Sequence, residues 1–185
     1  MYDFANSSFT TLIVTVAYSV YFVQVVARHL EPDGQAERVW FWGYAVSMLC
    51  VALLSPLLGA LADARAAKRT FLIGSTLVCV AATALLVFVQ DGDVWLGLLL
   101  FCMANLAFDL GFMFCSAFLV ELAPPEAMGR ISGYGWGLGY AGGLLSLALA
   151  YPLISGGFAE ANLPLYRTSF AVTAGFFLLA AVPTF

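Results

Sequence analysis

The sequence predicts an all-α membrane protein of six transmembrane helices, and three observations carry that reading. Hydrophobic residues make up 63% and charged residues 10% of the 185, with a mean hydropathy of +0.96. Soluble domains are about 45–50% apolar and about 25% charged, so this chain has too little polar surface to face water all round. Six apolar stretches are each long enough to cross roughly 30 Å of hydrocarbon at about 1.5 Å per residue. No stretch alternates with the period of two that a barrel strand needs, and lipid offers backbone groups no partners, so helices must satisfy them internally. The net charge of −4, with 7 Lys and Arg, excludes a phosphate-neutralising surface for nucleic acid, and the composition excludes disorder.

The first span covers 4–27. Asp3 is expected to cap it, with Asn6, Ser7 and Ser8 in a first turn near the interface, where polar groups cost little. At about 100° per residue, Asp3, Ser7, Thr11, Tyr18 and Tyr21 share a narrow arc, flanked by Thr10 and Thr15. The threonines are expected to bond back to their own helix carbonyls. The second span, 40–62, opens on Trp40 and Trp42, which with Trp95 are expected at the outer interface. The third covers 70–89. Cys50, Cys79, Cys102 and Cys115 all lie in apolar runs and read as small hydrophobes.

The fourth span, 94–120, holds the one charge deep in a predicted helix. Asp109 lies near its centre, with Asn105 and Ser116 on the same face, and no Lys, Arg or His lies deep in any span to pair with it. A mid-bilayer charge costs on the order of 2.5–3.5 kcal/mol on insertion scales, and burial favours the neutral form. An uncompensated, protonatable group at mid-depth therefore points to a proton relay or substrate site; a protonated acid that merely bonds a neighbouring helix is the plainer alternative. If spans one and four are neighbours, Tyr18 and Thr15 come level with Asp109 and line a cavity with it.

The fifth span, 131–151, carries Gly135, Gly139 and Gly143 at every fourth position, a flat ridge for close helix approach. It is not a phosphate loop, which must follow a strand. The sixth covers 166–185. The connectors are 28–38, with Pro32, Asp33 and Gly34, then 63–69, 90–93 and 121–130. Arg65, Lys68 and Arg69 crowd the second, whereas Glu31, Asp33, Glu37, Asp91, Asp93 and Glu160 dilute the cations of the loops on the other side. That asymmetry places both termini in the cytoplasm, and the plasma membrane is the expected setting. Asp63 ends a helix, where the dipole disfavours an anion, so a positive partner is expected there: an adjacent cation or another helix N-terminus. Met1 leads almost directly into the first span and the last stops at Phe185 without an anchoring residue, so a longer natural protein is expected.

Three stretches resemble a known family. Gly59-Ala60-Leu61-Ala62-Asp63, followed by Arg65, Lys68 and Arg69, is similar to the signature between helices two and three of the major facilitator superfamily. That pattern has basic residues where Ala64 and Ala67 stand and glycine where Ala66 stands. Tyr2-Asp3-Phe4-Ala5-Asn6-Ser7 and the stretch from Glu121 to Gly143, with Pro124-Pro125-Glu126 and Gly133-Tyr134-Gly135-Trp136, resemble its vacuole-effluxer branch. The resemblance implies twelve helices in two six-helix halves, of which this chain is the N-terminal one, with a central site reached alternately from either face. It also implies amino acids as a solute class, helices one and four lining the cavity, helices two and five facing the other half, and Gly59, Asp63, Arg65, Lys68 and Arg69 in a cytoplasmic gate. Tyr140 stands where the antiporter pattern has proline, so antiport is not implied.

The sequence thus predicts a secondary transporter half that handles a small-molecule solute in a lipid bilayer, with Asp109, Asn105, Tyr18, Ser116 and Asn6 along the pathway. Its partner is a C-terminal six-helix half or a second copy, and no cofactor is expected. A membrane-embedded enzyme fits poorly, since His29, the one histidine, falls in a loop. A non-transporting assembly subunit docking through the glycine ridge is the remaining alternative.

Overall fold

The computed structural model describes residues 1–30 and 34–185; Glu31, Pro32 and Asp33, in the first expected connector, lie outside the described residues. Among the described residues, six helices are long and apolar enough to cross a membrane: α1 (Tyr2–Val26), α2 (Gln35–Ala64), α3 (Lys68–Phe88), α4 (Val94–Glu121), α5 (Pro125–Ile154) and α6 (Leu163–Thr184). They extend past the apolar runs at most ends because charged residues outside the hydrocarbon continue the helix. Gly34, with φ +64°, turns the chain into α2, so Gln35 to Arg38 are helical. Pro125 opens α5, where its missing N–H costs nothing, and Glu126 sits in the first turn, where the helix dipole favours an acid. The expected connector 121–130 thereby shrinks to the residues around Ala123 and Pro124.

Helix α1 is the buried centre: half of its most apolar window is shielded, against 11% for α2. It packs along α5 and α6, while α3 lies against α4 and α6, and α2 against α4. Aromatic side chains fill the end of the bundle near Gly92. Tyr18 is fully buried among Phe22, Trp40, Phe101 and Phe170, with ring centroids 5.3–6.2 Å away. Trp40 lies 4.3 Å from Phe101 and is only 7% exposed, so it is a core residue. Its expected place in an interfacial belt is corrected: of Trp40, Trp42 and Trp95, the last two are exposed.

The first helix is not regular. Tyr2–Ser8 and Tyr18–Tyr21 are α-helical, but Phe9–Val16 and Phe22–Val26 are π-helical, and the chain bends at Ala17. Tertiary hydrogen bonds hold the irregular end: the Tyr166 hydroxyl donates to the Ala17 carbonyl at 3.2 Å, and the Tyr21 hydroxyl to the Val89 carbonyl at 2.9 Å. Such i→i+5 turns are wider than α-turns and cluster at functional sites. They also change which residues share a face, because an arc drawn at 100° per residue drifts across Phe9–Val16. Asp3, Ser7 and Thr11 stay together, while Tyr18 and Tyr21 rotate into the aromatic core.

Candidate functional site

A cleft of about 450 Å³ opens between α1, α4 and α5. Helix α1 supplies Asp3, Asn6, Ser7, Thr10 and Thr11; α4 supplies Phe108, Asp109 and Phe112; α5 supplies Trp136, Gly139 and Tyr140. Its depth is fixed by local packing. Phe9 stacks on Phe108 at 4.9 Å, which sets Asn6 and Thr10 level with Asp109. Asp3 lies against Gly135, ten residues into α5 and so about 15 Å from that helix's start. It falls within the first turn of α1, after Met1 in the capping position, and makes no cap. The expectation that Asp3 caps the helix is corrected.

The glycine ridge creates this arrangement. A Cβ on Gly139 would come within 2.9 Å of Ser7 Oγ, and one on Gly143 within 2.8 Å of Thr11 Oγ1. Closest of all is Gly142, whose Cβ would overlap the backbone of Phe4. The ridge therefore packs on α1 of the same chain. With Ser7 and Thr11 turned towards α5, Asn6 and Thr10 are left to the cleft. Ser7 Oγ donates to the Asp3 carbonyl and Thr15 Oγ1 to the Thr10 carbonyl, so the expected back-bonding holds for Thr15.

Asp109 is half-buried, and a single side-chain bond holds it: Asn105 Nδ2 donates to its carboxylate at 3.2 Å. The same amide reaches Ser47 Oγ on α2 at 3.0 Å. Asn105 is 2% exposed, so it supports Asp109 from behind the cleft wall. Among the described residues no Lys, Arg or His lines the cleft, and its two carboxylates give it a negative potential. Asn6 is 5% exposed, and its Oδ1 has no hydrogen-bond partner among the described residues.

Two pathway expectations are corrected by position. Tyr18 lies against Gly97, twelve residues or about 18 Å along α4 from Asp109, outside the cleft; its buried hydroxyl is unpartnered. Ser116 is exposed two turns beyond Asp109 and does not line the cleft either. Sequence reasoning missed Phe108, Phe112, Trp136 and Tyr140, since aromatic residues in apolar spans carry no signal of their own. Ser47 was missed because a lone serine in a span is unremarkable.

At the end of the bundle holding the 63–69 turn, Lys68 Nζ bridges two carboxylates, Asp63 at 2.8 Å and Glu121. One cation thus joins the end of α2, the start of α3 and the end of α4, and Lys68 is the positive partner that Asp63 required. Arg65 and Arg69 are exposed and make no ion pair among the described residues. Gly59 sits within α2, facing Met113. Ala66 takes φ +49°, the one non-glycine residue with positive φ among those described, at the position where the family signature has glycine. No group of three His, Cys, Asp or Glu able to hold a metal occurs among the described residues.

The chain is 30% identical over 182 residues to the uncharacterized MFS-type transporter YxiO of Bacillus subtilis (strain 168), covering 98% of this chain and 42% of that protein. Its fold is similar to the inward-open conformation of the xylose transporter XylE from E. coli. That likeness has a TM-score of 0.67 and 21% identity, and covers 98% of this chain and 43% of that one. The chain therefore spans about two fifths of the length of both, and its six helices resemble half of such a molecule. The family model of the Major Facilitator Superfamily matches residues 6–185, and the chain belongs to that superfamily.

Proposed function

We propose that this chain is the N-terminal half of a secondary active transporter of small polar solutes, working by alternating access, with Asp109 as the pathway group that binds a proton or a solute ammonium. The observation that carries this reading is the cleft between α1, α4 and α5, where a half-buried carboxylate faces hydroxyls and an orphaned amide with no cation among them. In low dielectric such a carboxylate is stabilised by whatever positive species enters, a proton or an ammonium. The resemblance of the Tyr2–Ser7 and Glu121–Gly143 stretches to the vacuole-effluxer branch adds amino acids as the solute class. A zwitterion would set its ammonium against Asp109 and its carboxylate against a group outside this chain. The likeness to a xylose transporter, at 21% identity, speaks for the fold alone.

The basic 63–69 turn supports a topology with both termini cytoplasmic. The test is solute flux in proteoliposomes of the intact protein with Asp109→Asn. Asparagine keeps the shape and the Asn105 contact and removes the charge. Flux is expected to fall by roughly tenfold or more, the scale of a lost charged contact, and its pH dependence to flatten. Unchanged flux with an unchanged pH profile would remove Asp109 from the pathway.

A further inference from the structure

The wall of the cleft at Asp109 carries more information than one carboxylate. Its two acids, Asp3 and Asp109, make no ion pair among the described residues, and none of those residues brings a Lys, Arg or His to the wall. Packing makes room for Asp3: a Cβ on Gly135 would overlap its carboxylate. Asn6, 5% exposed, lines the same cleft with an Oδ1 that accepts no hydrogen bond among the described residues. A buried acceptor without a donor is costly, so this wall calls for a ligand that donates hydrogen bonds. The groove on the far side of α4, between α2, α3 and α4, is walled almost wholly by apolar side chains and holds no charge.

The rest of the wall is largely aromatic. Trp136 and Tyr140 stand one turn apart on α5 with ring centroids 6.4 Å from each other, and both are exposed, as is Phe112. The face of such a ring attracts a cation through its quadrupole, that of Trp most strongly. A solute anion would meet two like charges in this wall and no counter-charge. Asp3 packs at Gly135, and Ser7 at Gly139 one turn further along both helices, so a solute whose ammonium sits at Asp109 and Asn6 has its body beside Tyr140 and Trp136. We propose that the solute of this cleft is a primary amine with an aromatic body and no carboxylate of its own. Its ammonium, with three donors, is held by Asp109 and Asn6 Oδ1, its body lies on Trp136 and Tyr140, and Asp3 turns away solutes that carry an anion. The inference rests on Asp109 as the pathway group and narrows the solute class from zwitterions to amines.

The test is competition binding to the intact protein in detergent micelles, with tritiated phenethylamine as the probe and phenylalanine, the same molecule plus one carboxylate, as its competitor. The wild type is expected to bind phenethylamine roughly tenfold or more tightly than phenylalanine. Asp3→Asn should narrow that ratio several-fold by strengthening phenylalanine. Trp136 is exposed, so Trp136→Leu leaves the fold intact and should weaken phenethylamine about fivefold. Phenylalanine bound as tightly as phenethylamine, or neither bound, would overturn the inference, as would a preference that survives both variants. Asp109→Asn separates this inference from the reading beneath it. If phenylalanine is the tighter ligand and Asp109→Asn abolishes its binding, the pathway reading stands and the amine assignment falls; if phenethylamine binds equally well to Asp109→Asn, both fall.

Discussion

At residue scale, the side chains that matter are those whose surroundings leave something unsettled. Asp109 has one amide and no cation; Asn6 has an orphaned oxygen at the same level. Ala66 is unsettled in its backbone. A left-handed φ costs an L-residue roughly 1–2 kcal/mol, offset in part by the lower unfolded-state entropy of alanine relative to glycine. Ala66→Gly is therefore expected to stabilise the protein by about 0.5–1 kcal/mol, read as a raised midpoint in thermal unfolding in detergent. A lowered midpoint would mean that the turn is not strained. Asp109 was legible in the sequence because a charge amid apolar residues has few explanations. Tyr18 was misplaced because a tyrosine on a polar arc and a tyrosine in an aromatic core read alike.

At element scale, the α1–α5 contact decides where the polar edge of α1 points. The sequence marked a glycine ridge at four-residue spacing, but the tightest approach falls at Gly142, one position off that ridge. Gly142→Ala is expected to cost about 1–3 kcal/mol, the usual range for overpacking a close contact, because Phe4's backbone must withdraw. Gly137→Ala, on the open side of the same helix, should be neutral or stabilising by up to about 1 kcal/mol through helix propensity. Equal effects at both sites in thermal unfolding would show that α1 and α5 are not in contact there. The existence of each helix followed from hydropathy, since lipid permits little else. The π-helical stretches Phe9–Val16 and Phe22–Val26 did not, because their wider turns answer to partners such as Tyr166 and Val89, remote in sequence.

At the scale of the whole molecule, α4 stands between two concavities of opposite character. The acidic cleft lies on its α1 and α5 side, and an apolar groove lies on its α2 and α3 side. Superfamily membership was legible from the Gly59–Arg69 signature despite its three alanine replacements. The cleft was legible only in outline, because spacing along one helix cannot say which neighbour covers it. Hence spacing marked the ridge as a face for close helix approach without naming its partner, which in the structure is α1.

The central claim is that the Asp109 position faces a water-accessible passage. Its most direct test is thiol accessibility in the intact protein with Cys50, Cys79, Cys102 and Cys115 replaced by alanine. A charged, membrane-impermeant thiosulfonate needs a hydrated thiolate, which hydrocarbon does not support. Asp109→Cys should react, more slowly when transported solute is present, while Val78→Cys in the apolar groove between α2, α3 and α4 should stay unmodified. A silent Asp109→Cys, in a protein whose Thr10→Cys is equally silent, would contradict the account.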